Sequence, residues 1–142
     1  DVTSILGTDK FTELIDAMSD QLEDIDSIDA FVGVESRGYI FAAALAYKLG
    51  KGIILARKPG KLPPPVKSVE YSLEYGTDSL EMHEGTGRVV VVDDVVATGG
   101  TLTAAGQLAQ DCGYDVVDTL CFIDLRFIHG RELDTKCVVT YD

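Results

Sequence analysis

At 142 residues, 46% hydrophobic and 25% charged, the chain is long enough to bury one ordinary core, and we expect residues 1–142 to form a single domain. A formal charge of −12 excludes broad binding to nucleic acid or to acidic membranes, since both need an excess of Lys and Arg. No apolar run approaches the ~20 residues that span a bilayer. The first residues, Asp1-Val2-Thr3-Ser4, carry no basic or apolar leader, and the absence of an initiator Met leads us to expect further chain upstream. Cys112, Cys121 and Cys137 are odd in number and form no CxxC pair, which reads as reduced thiols in an apolar core and hence a cytoplasmic protein. His83 and His129 lie too far apart for metal-ligand spacing, so no structural metal is expected.

Thr8 is a candidate cap for a helix from Asp9 to Asp24, with Phe11, Leu14, Ile15, Met18 and Leu22 on one face and acids opposite. Ala30–Val34 is a short apolar run and reads as a buried strand. Gly38–Leu49 is Ala-rich and helical, with Gly50 as its stop. Gly52–Ala56 is the next strand. All four prolines, Pro59, Pro63, Pro64 and Pro65, fall between Lys58 and Lys67, which predicts an exposed, mobile loop rather than a helix or an internal strand. Val69–Leu73 and Ser79–His83 alternate apolar with polar around Tyr75-Gly-Thr-Asp78, a hairpin pattern. Arg88–Val92 is the strongest strand signal. Thr101–Cys112 reads as a helix ended by Gly113, and Asp115–Ile123 and Lys136–Tyr141 as later strands. Strands alternating with helices imply an α/β fold with a mainly parallel sheet covered on both faces.

The charge is unevenly placed. Acids crowd the first thirty residues, whereas Arg57, Lys58, Lys61 and Lys67 share an eleven-residue stretch with no acid, where a small polyanion would meet a local positive field. Beyond it, four valines run into Asp93-Asp94 and then Val95-Val96-Ala97-Thr98-Gly99-Gly100-Thr101. In an open parallel sheet, ligands sit beyond the carboxyl ends of strands. Two adjacent carboxylates there can accept hydrogen bonds from a vicinal diol. Thr98–Thr101 precedes a helix, where unpaired N–H groups and the helix dipole favour an anion. Gly99 and Gly100 let the backbone come close to a phosphate, and the Thr hydroxyls can donate to it. Diol acceptors beside a phosphate cradle describe ribose 5-phosphate. The stretch is neither a Walker A loop nor a GxGxxG fingerprint.

VVVVDDVVATGGT resembles the phosphoribosyl-diphosphate (PRPP) motif of the type I phosphoribosyltransferases. With GVESRGYIF (33 to 41), ARKPGKLP (56 to 63) and YSLEYGTDSLEMH (71 to 83), the resemblance narrows to the adenine phosphoribosyltransferase family. It implies a central, mainly parallel twisted sheet flanked by helices, with a flexible catalytic loop and hairpin. The implied reaction is purine salvage: 5-phosphoribosyl passes from PRPP to adenine, giving AMP and pyrophosphate, with Mg²⁺ carried by the diphosphate and no direct protein ligand. A homodimer is implied as well.

By the same resemblance Asp93 and Asp94 hold the ribose hydroxyls, and Ala97, Thr98, Gly99, Gly100 and Thr101 the 5-phosphate. Glu35, Ser36 and Arg37 correspond to a pyrophosphate loop, joined by Arg57, Lys58 and Lys61. Glu74, Tyr75 and Arg57 carry catalysis, with the Glu74 carboxyl handling the purine N7 proton. Val95 and Leu125 flank the base. The family's segment ahead of Asp1-Val2-Thr3 supplies backbone contacts to adenine, and the connection from His83 to Val89 is a few residues shorter than is usual. Two alternatives remain, transfer to another purine (xanthine, hypoxanthine or guanine) or a non-catalytic PRPP-binding regulator of the same fold. A phosphoacceptor receiver domain would place its acidic pair on the first strand, whereas here the pair lies past residue 90.

Overall fold

The valine run organises the chain. In the computed structural model, which describes residues 2–73, 75–129 and 135–142, it becomes β5 (Gly87–Val96), the central strand of a five-stranded sheet. Its neighbours are β1 (Ala30–Val34) and β6 (Tyr114–Leu125); β2 (Gly52–Ala56) and β7 (Lys136–Tyr141) form the edges, in the order β2-β1-β5-β6-β7. Every pair in this sheet is parallel. Parallel strands need crossovers, and the helices that supply them cover both faces.

Side chains alternate across a strand, so β5 feeds two cores. Val90 and Val92 pack with Phe31, Phe41, Leu45, Leu120 and Phe122, beneath α2 (Lys10–Asp20) and α3 (Arg37–Leu49). Val89 and Val91 pack with Val32, Val34, Leu102 and Leu108, beneath α4 (Gly100–Asp111). Leu80 and Met82 of the antiparallel hairpin β3 (Lys67–Ser72) and β4 (Thr77–Met82) complete that second core. Each such side chain, fully withdrawn from water, contributes about 1.5–3 kcal/mol before entropy is counted.

The strand and helix readings hold, with boundary changes that have local causes. The first helix ends at Asp20, and a 3₁₀ turn at Ile25–Ser27 follows. Thr8 does not occupy the N-cap, which is Asp9, although its hydroxyl accepts the Lys10 N–H at 3.3 Å. Gly50 ends α3 in the left-handed conformation at φ 69°. Two four-residue helices, α1 (Thr3–Leu6) and α5 (Arg126–His129), are too short to leave a periodic signal. The short connection after His83 is drawn in by the Gly85 N–H donating to Cys112 O at 3.0 Å. All three cysteines are free; Cys112 and Cys121 are buried, but Cys137 is only half-buried, being on the edge strand β7. No helix among the described residues is long and apolar enough to cross a membrane.

The proline-rich stretch is largely exposed, as expected, yet it is pinned. The Gly60 N–H donates to Glu81 Oε1 at 2.8 Å, and His83 Nε2 lies 2.7 Å from Pro63 O. Its acid-free appearance does not survive folding either. Glu35, Asp78 and Glu84 come in from other elements to meet Lys61, Lys58 and Lys67.

Close packing of α3 on the sheet depends on two glycines. A Cβ on Gly33 would lie 3.0 Å from Ala42 Cβ, and one on Gly38 would lie 2.8 Å from Val92 O. Gly38→Ala should therefore push the start of α3 off β5 and cost about 1–3 kcal/mol in urea unfolding. Gly106→Ala, in α4 with nothing within 4 Å of the added methyl, should instead stabilise by about 0.5–1 kcal/mol. Equal effects from the two substitutions would contradict this packing.

Candidate active site

The sheet order places a crevice at one end. From β1 the chain crosses through α3 to β2 on one side, and from β5 through α4 to β6 on the other. Strand order thus reverses between β1 and β5, the position where open α/β sheets bind ligands. Pairing of β1 with β5 stops at Gly33↔Val92, while pairing of β5 with β6 continues to Val96↔Asp124. Asp93 and Asp94 therefore lie within β5 but beyond its partnership with β1. On that side they line the crevice.

The two carboxylates differ in exposure, Asp93 being only half-buried. Asp94 is buried, and its Oδ2 lies 2.7 Å from Arg37 Nε. The approach is outside hydrogen-bond geometry, so this buried oxygen keeps an unfilled acceptor beside a cation. Asp93 Oδ1 accepts the Asp94 N–H at 2.8 Å. Burial, with the Asp94 carboxyl close by, pushes the Asp93 carboxyl up to about 8. The unfilled Asp94 oxygen leaves the pair an acceptor for a hydroxyl donor.

Asp93 also lines a cavity of about 110 Å³ with Val95, Val96, Ala97, Thr98, Gly99, Thr101 and Leu102. Here β5 gives way to α4 through Ala97–Gly99, and Gly99 adopts φ 88°, a conformation that favours glycine. Thr98 Oγ1 accepts the Gly100 N–H at 3.3 Å. The turn and the first N–H groups of a twelve-residue helix thus face one small cavity. Six of the sequence-derived site residues, Asp93, Val95, Ala97, Thr98, Gly99 and Thr101, meet there, and Gly100 is the first residue of α4.

The β1–α3 turn faces the same crevice. Glu35-Ser36-Arg37 follows β1 directly, and the Glu35–Ser36 peptide is cis. Glu35 Oε1 accepts the Lys58 N–H at 2.9 Å and lies 3.6 Å from Arg57 Nε, while Oε2 pairs with Lys61 Nζ. Burial works to raise Glu35, but the Lys61 and Lys58 hydrogen bonds and the charges of Lys61 and Arg57 outweigh it and hold the carboxyl below its ordinary value. Lys58 Nζ is turned to Asp78 of β4 and lies over the Tyr71 ring, so it sits on the hairpin side of the loop. Burial pushes the Tyr39 hydroxyl, beside Glu35, up to about 12.

The hairpin tip reaches toward the phosphate turn. Val69, Glu70, Tyr71 and Ser72 share a groove of about 490 Å³ with Thr98, Gly99, Gly100 and Thr103. Tyr75 stands at that tip, exposed, in a turn closed by the Leu73 N–H on Gly76 O. Glu74 lies outside the described residues. Val95 and Leu125 are half-buried on the neighbouring strands β5 and β6, giving an apolar margin beside the acid pair. Asp124, which no sequence pattern marked, is wholly buried, with Arg126 Nε at 3.3 Å from its Oδ2.

The Asp93 environment carries a pH signature. Its folded value is raised from an ordinary 3.8 to about 8, so the folded state holds a proton that the unfolded chain releases. This group's contribution to stability therefore falls as pH rises from 4 to 8 and is level above that. Asp93→Asn should raise the melting temperature at pH 8.5 and change it little at pH 4. A difference that stays constant across those pH values would contradict the buried pair.

Comparison with known proteins agrees with this geometry. The family model described as a phosphoribosyl transferase domain matches residues 1–142. An adenine phosphoribosyltransferase of Chloroflexus aurantiacus is 46% identical over 137 residues, covering 93% of this chain and 79% of the relative. The crystal structure of adenine phosphoribosyltransferase from Thermoanaerobacter pseudethanolicus superimposes with a TM-score of 0.90 at 40% identity, over 99% of this chain and 87% of that one. That of the Saccharomyces cerevisiae enzyme, complexed with an imino-altritol bisphosphate and adenine, gives 0.87 at 36% identity, over 96% and 83%. A reversed strand order with an acid pair and a phosphate-sized turn at the switch thus coincides with likeness along the whole chain, and the chain belongs to the phosphoribosyltransferase family, in its adenine phosphoribosyltransferase branch.

Proposed function

We infer that the chain, acting as one domain over residues 1–142, transfers the 5-phosphoribosyl group of PRPP to adenine, giving AMP and pyrophosphate. The observation that carries this is the juxtaposition of the buried Asp94 and half-buried Asp93 carboxylates with the Ala97–Thr101 turn at the β1/β5 crevice. A sugar diol and a phosphate on one five-carbon ring match that spacing of acceptors and donors. Adenine as the base follows from the relatives, one of which was solved with adenine in place.

The roles follow from position. Ribose hydroxyls donate to Asp93 and Asp94, which favours ionisation of Asp93 and releases its proton. The 5-phosphate takes the N–H groups of Ala97–Thr101 and the Thr98 and Thr101 hydroxyls. Arg37, Arg57 and Lys61 face the diphosphate, where negative charge grows as the bond to the anomeric carbon breaks, so fixed cations there lower the barrier. Lys58 acts from the hairpin side. Tyr75, on the turn between β3 and β4, closes over the base, and the Glu74 carboxyl takes the purine N7 proton. Val95 and Leu125 give the ring an apolar wall. Displacement is dissociative, so the protein's work is positioning and electrostatics.

Mg²⁺ carried by the diphosphate would neutralise leaving-group charge when bound. The donor set fits an ion delivered this way. Mg²⁺ retains several waters and needs few protein ligands, and Asp93 and Asp94 supply oxygens for hydroxyls or metal-bound water. Among the described residues no group of three or more His, Cys, Asp or Glu could hold a metal ion alone. The free cysteines support a cytoplasmic setting, and family likeness supports a homodimer.

Offered PRPP, Mg²⁺ and each of adenine, guanine, hypoxanthine and xanthine, the protein should form nucleotide with adenine alone. Glu74→Ala should lower kcat by about 10²–10⁴-fold, and the double change Asp93→Asn with Asp94→Asn should abolish turnover. PRPP binding without nucleotide from any base would overturn the enzyme reading in favour of a regulator. Product from another purine would overturn only the choice of base. Because PRPP binding expels the Asp93 proton, its affinity should rise with pH up to about 8 and then level. Calorimetry in buffers of different ionisation enthalpy should register that proton; identical heats in all buffers would contradict it.

A further inference from the structure

We propose that Glu35 is a positioning residue for the diphosphate end of the substrate, its carboxylate gathering the Arg57 and Lys61 cations and anchoring the backbone between them at Lys58. This rests on the transferase reading above. An anion is an unexpected neighbour for a diphosphate, and Glu35 is not on the surface, where such a charge would be incidental. Its side chain is 10% exposed, at the carboxyl end of β1. The two oxygens have divided tasks. Oε1 accepts the Lys58 backbone N–H at 2.9 Å and the Tyr39 hydroxyl at 3.4 Å, and lies 3.6 Å from Arg57 Nε. Oε2 pairs with Lys61 Nζ.

The carboxylate therefore grips the basic segment at its start and, three residues after Lys58, at Lys61. Between those grips the Gly60 N–H is held independently by Glu81. Without an internal anion, the Arg57 and Lys61 charges would repel one another and disperse into solvent. With it, a guanidinium and an ammonium stand at a common centre beside Ser36 and Arg37. Arg57 Nε is buried and makes no hydrogen bond, a costly arrangement for a donor unless an incoming acceptor completes it. Tyr39 ties the device to the fold, since its hydroxyl also donates to Ala56 O at 3.3 Å, on the strand that leads into Arg57.

Glutamine separates this role from simple packing. Glu35→Gln keeps shape and one acceptor, but places an NH₂ group or a neutral oxygen where Lys61 and Arg57 met a charge. Glu35→Asp keeps charge and shortens reach. With the full chain, steady-state kinetics would vary PRPP and adenine separately, and calorimetry would titrate pyrophosphate with Mg²⁺ in the absence of turnover. For Glu35→Gln we expect the KM for PRPP and the pyrophosphate Kd to rise about tenfold or more, with the KM for adenine within about twofold and the melting temperature little changed. Glu35→Asp should fall between, and it decides the matter by the same criteria if the glutamine variant does not fold. Unchanged or tighter PRPP and pyrophosphate binding, or an equal rise in both KM values, would overturn the proposal. Wild-type protein that binds pyrophosphate yet forms no nucleotide would instead overturn the transferase reading, leaving the pyrophosphate titrations to judge Glu35.

Discussion

Strand β5 outruns β1. Its ladder with β1 closes at Gly33↔Val92, but β6 supports it for four more residues, to Val96. This difference lets two carboxylates stand in ordered, hydrogen-bonded backbone while facing an open crevice rather than another strand. It also sets where the helices begin. α3 starts beside Val92 because Gly38 has no Cβ to keep it away, and α4 starts just past Val96 because Gly99 turns the chain through a left-handed conformation. Two helix N-termini from opposite faces of the sheet thereby reach one end of one strand pair. A ligand with a phosphate at one end, a diphosphate at the other and a diol between them suits such an arrangement, built on the core from Phe31 to Leu108.

Electrostatics at this end is a matter of exchange rather than of net sign. The chain carries −12, yet its acids are not spread at random over the site. Arg37 is met by Asp94, Arg57 and Lys61 by Glu35, Lys58 by Asp78 and Lys67 by Glu84. Internal pairing of this kind places cations without the cost of unscreened repulsion. An incoming PRPP offers donors to the acids and acceptors to the cations. At Asp94 the swap is direct, because ribose hydroxyls can take the oxygen that Arg37 now faces. The pairing also explains why a basic stretch could sit on an acidic protein without making it a nucleic-acid binder.

Much of the scaffold was legible because local signals agreed with tertiary demands. Ala30–Val34, Gly52–Ala56 and Lys136–Tyr141 have the bounds that their apolar or β-prone runs predict, between residues that break strands. The acid pair and the glycine turn were legible as a site because strand, acids, glycines and helix come in one order along the chain. What the sequence hid was long-range. Nothing near Glu35 announces Lys61, and nothing near Lys58 announces Asp78, since each pair joins elements far apart in the chain. Glu35 was read as part of a pyrophosphate loop, and the contacts of its side chain with Arg57 and Lys61 were not visible in the sequence. Asp124, just past the strand expected over Asp115–Ile123, carries no sequence signal of its complete burial. The extension of β5 through two aspartates was hidden too, because charged residues break the apolar run that marks a strand while the ladder to β6 persists.

The central claim is that the β1/β5 crevice receives PRPP through the acid pair and the turn that follows it. Amide hydrogen exchange on the wild-type chain, with and without saturating PRPP and Mg²⁺, tests this most directly, since it reads backbone protection residue by residue without turnover. Protection concentrated at Asp93–Leu102 and Glu35–Arg37, with little change at the far ends of the same strands, is the predicted result. Protection elsewhere, or none at saturation, would contradict the account.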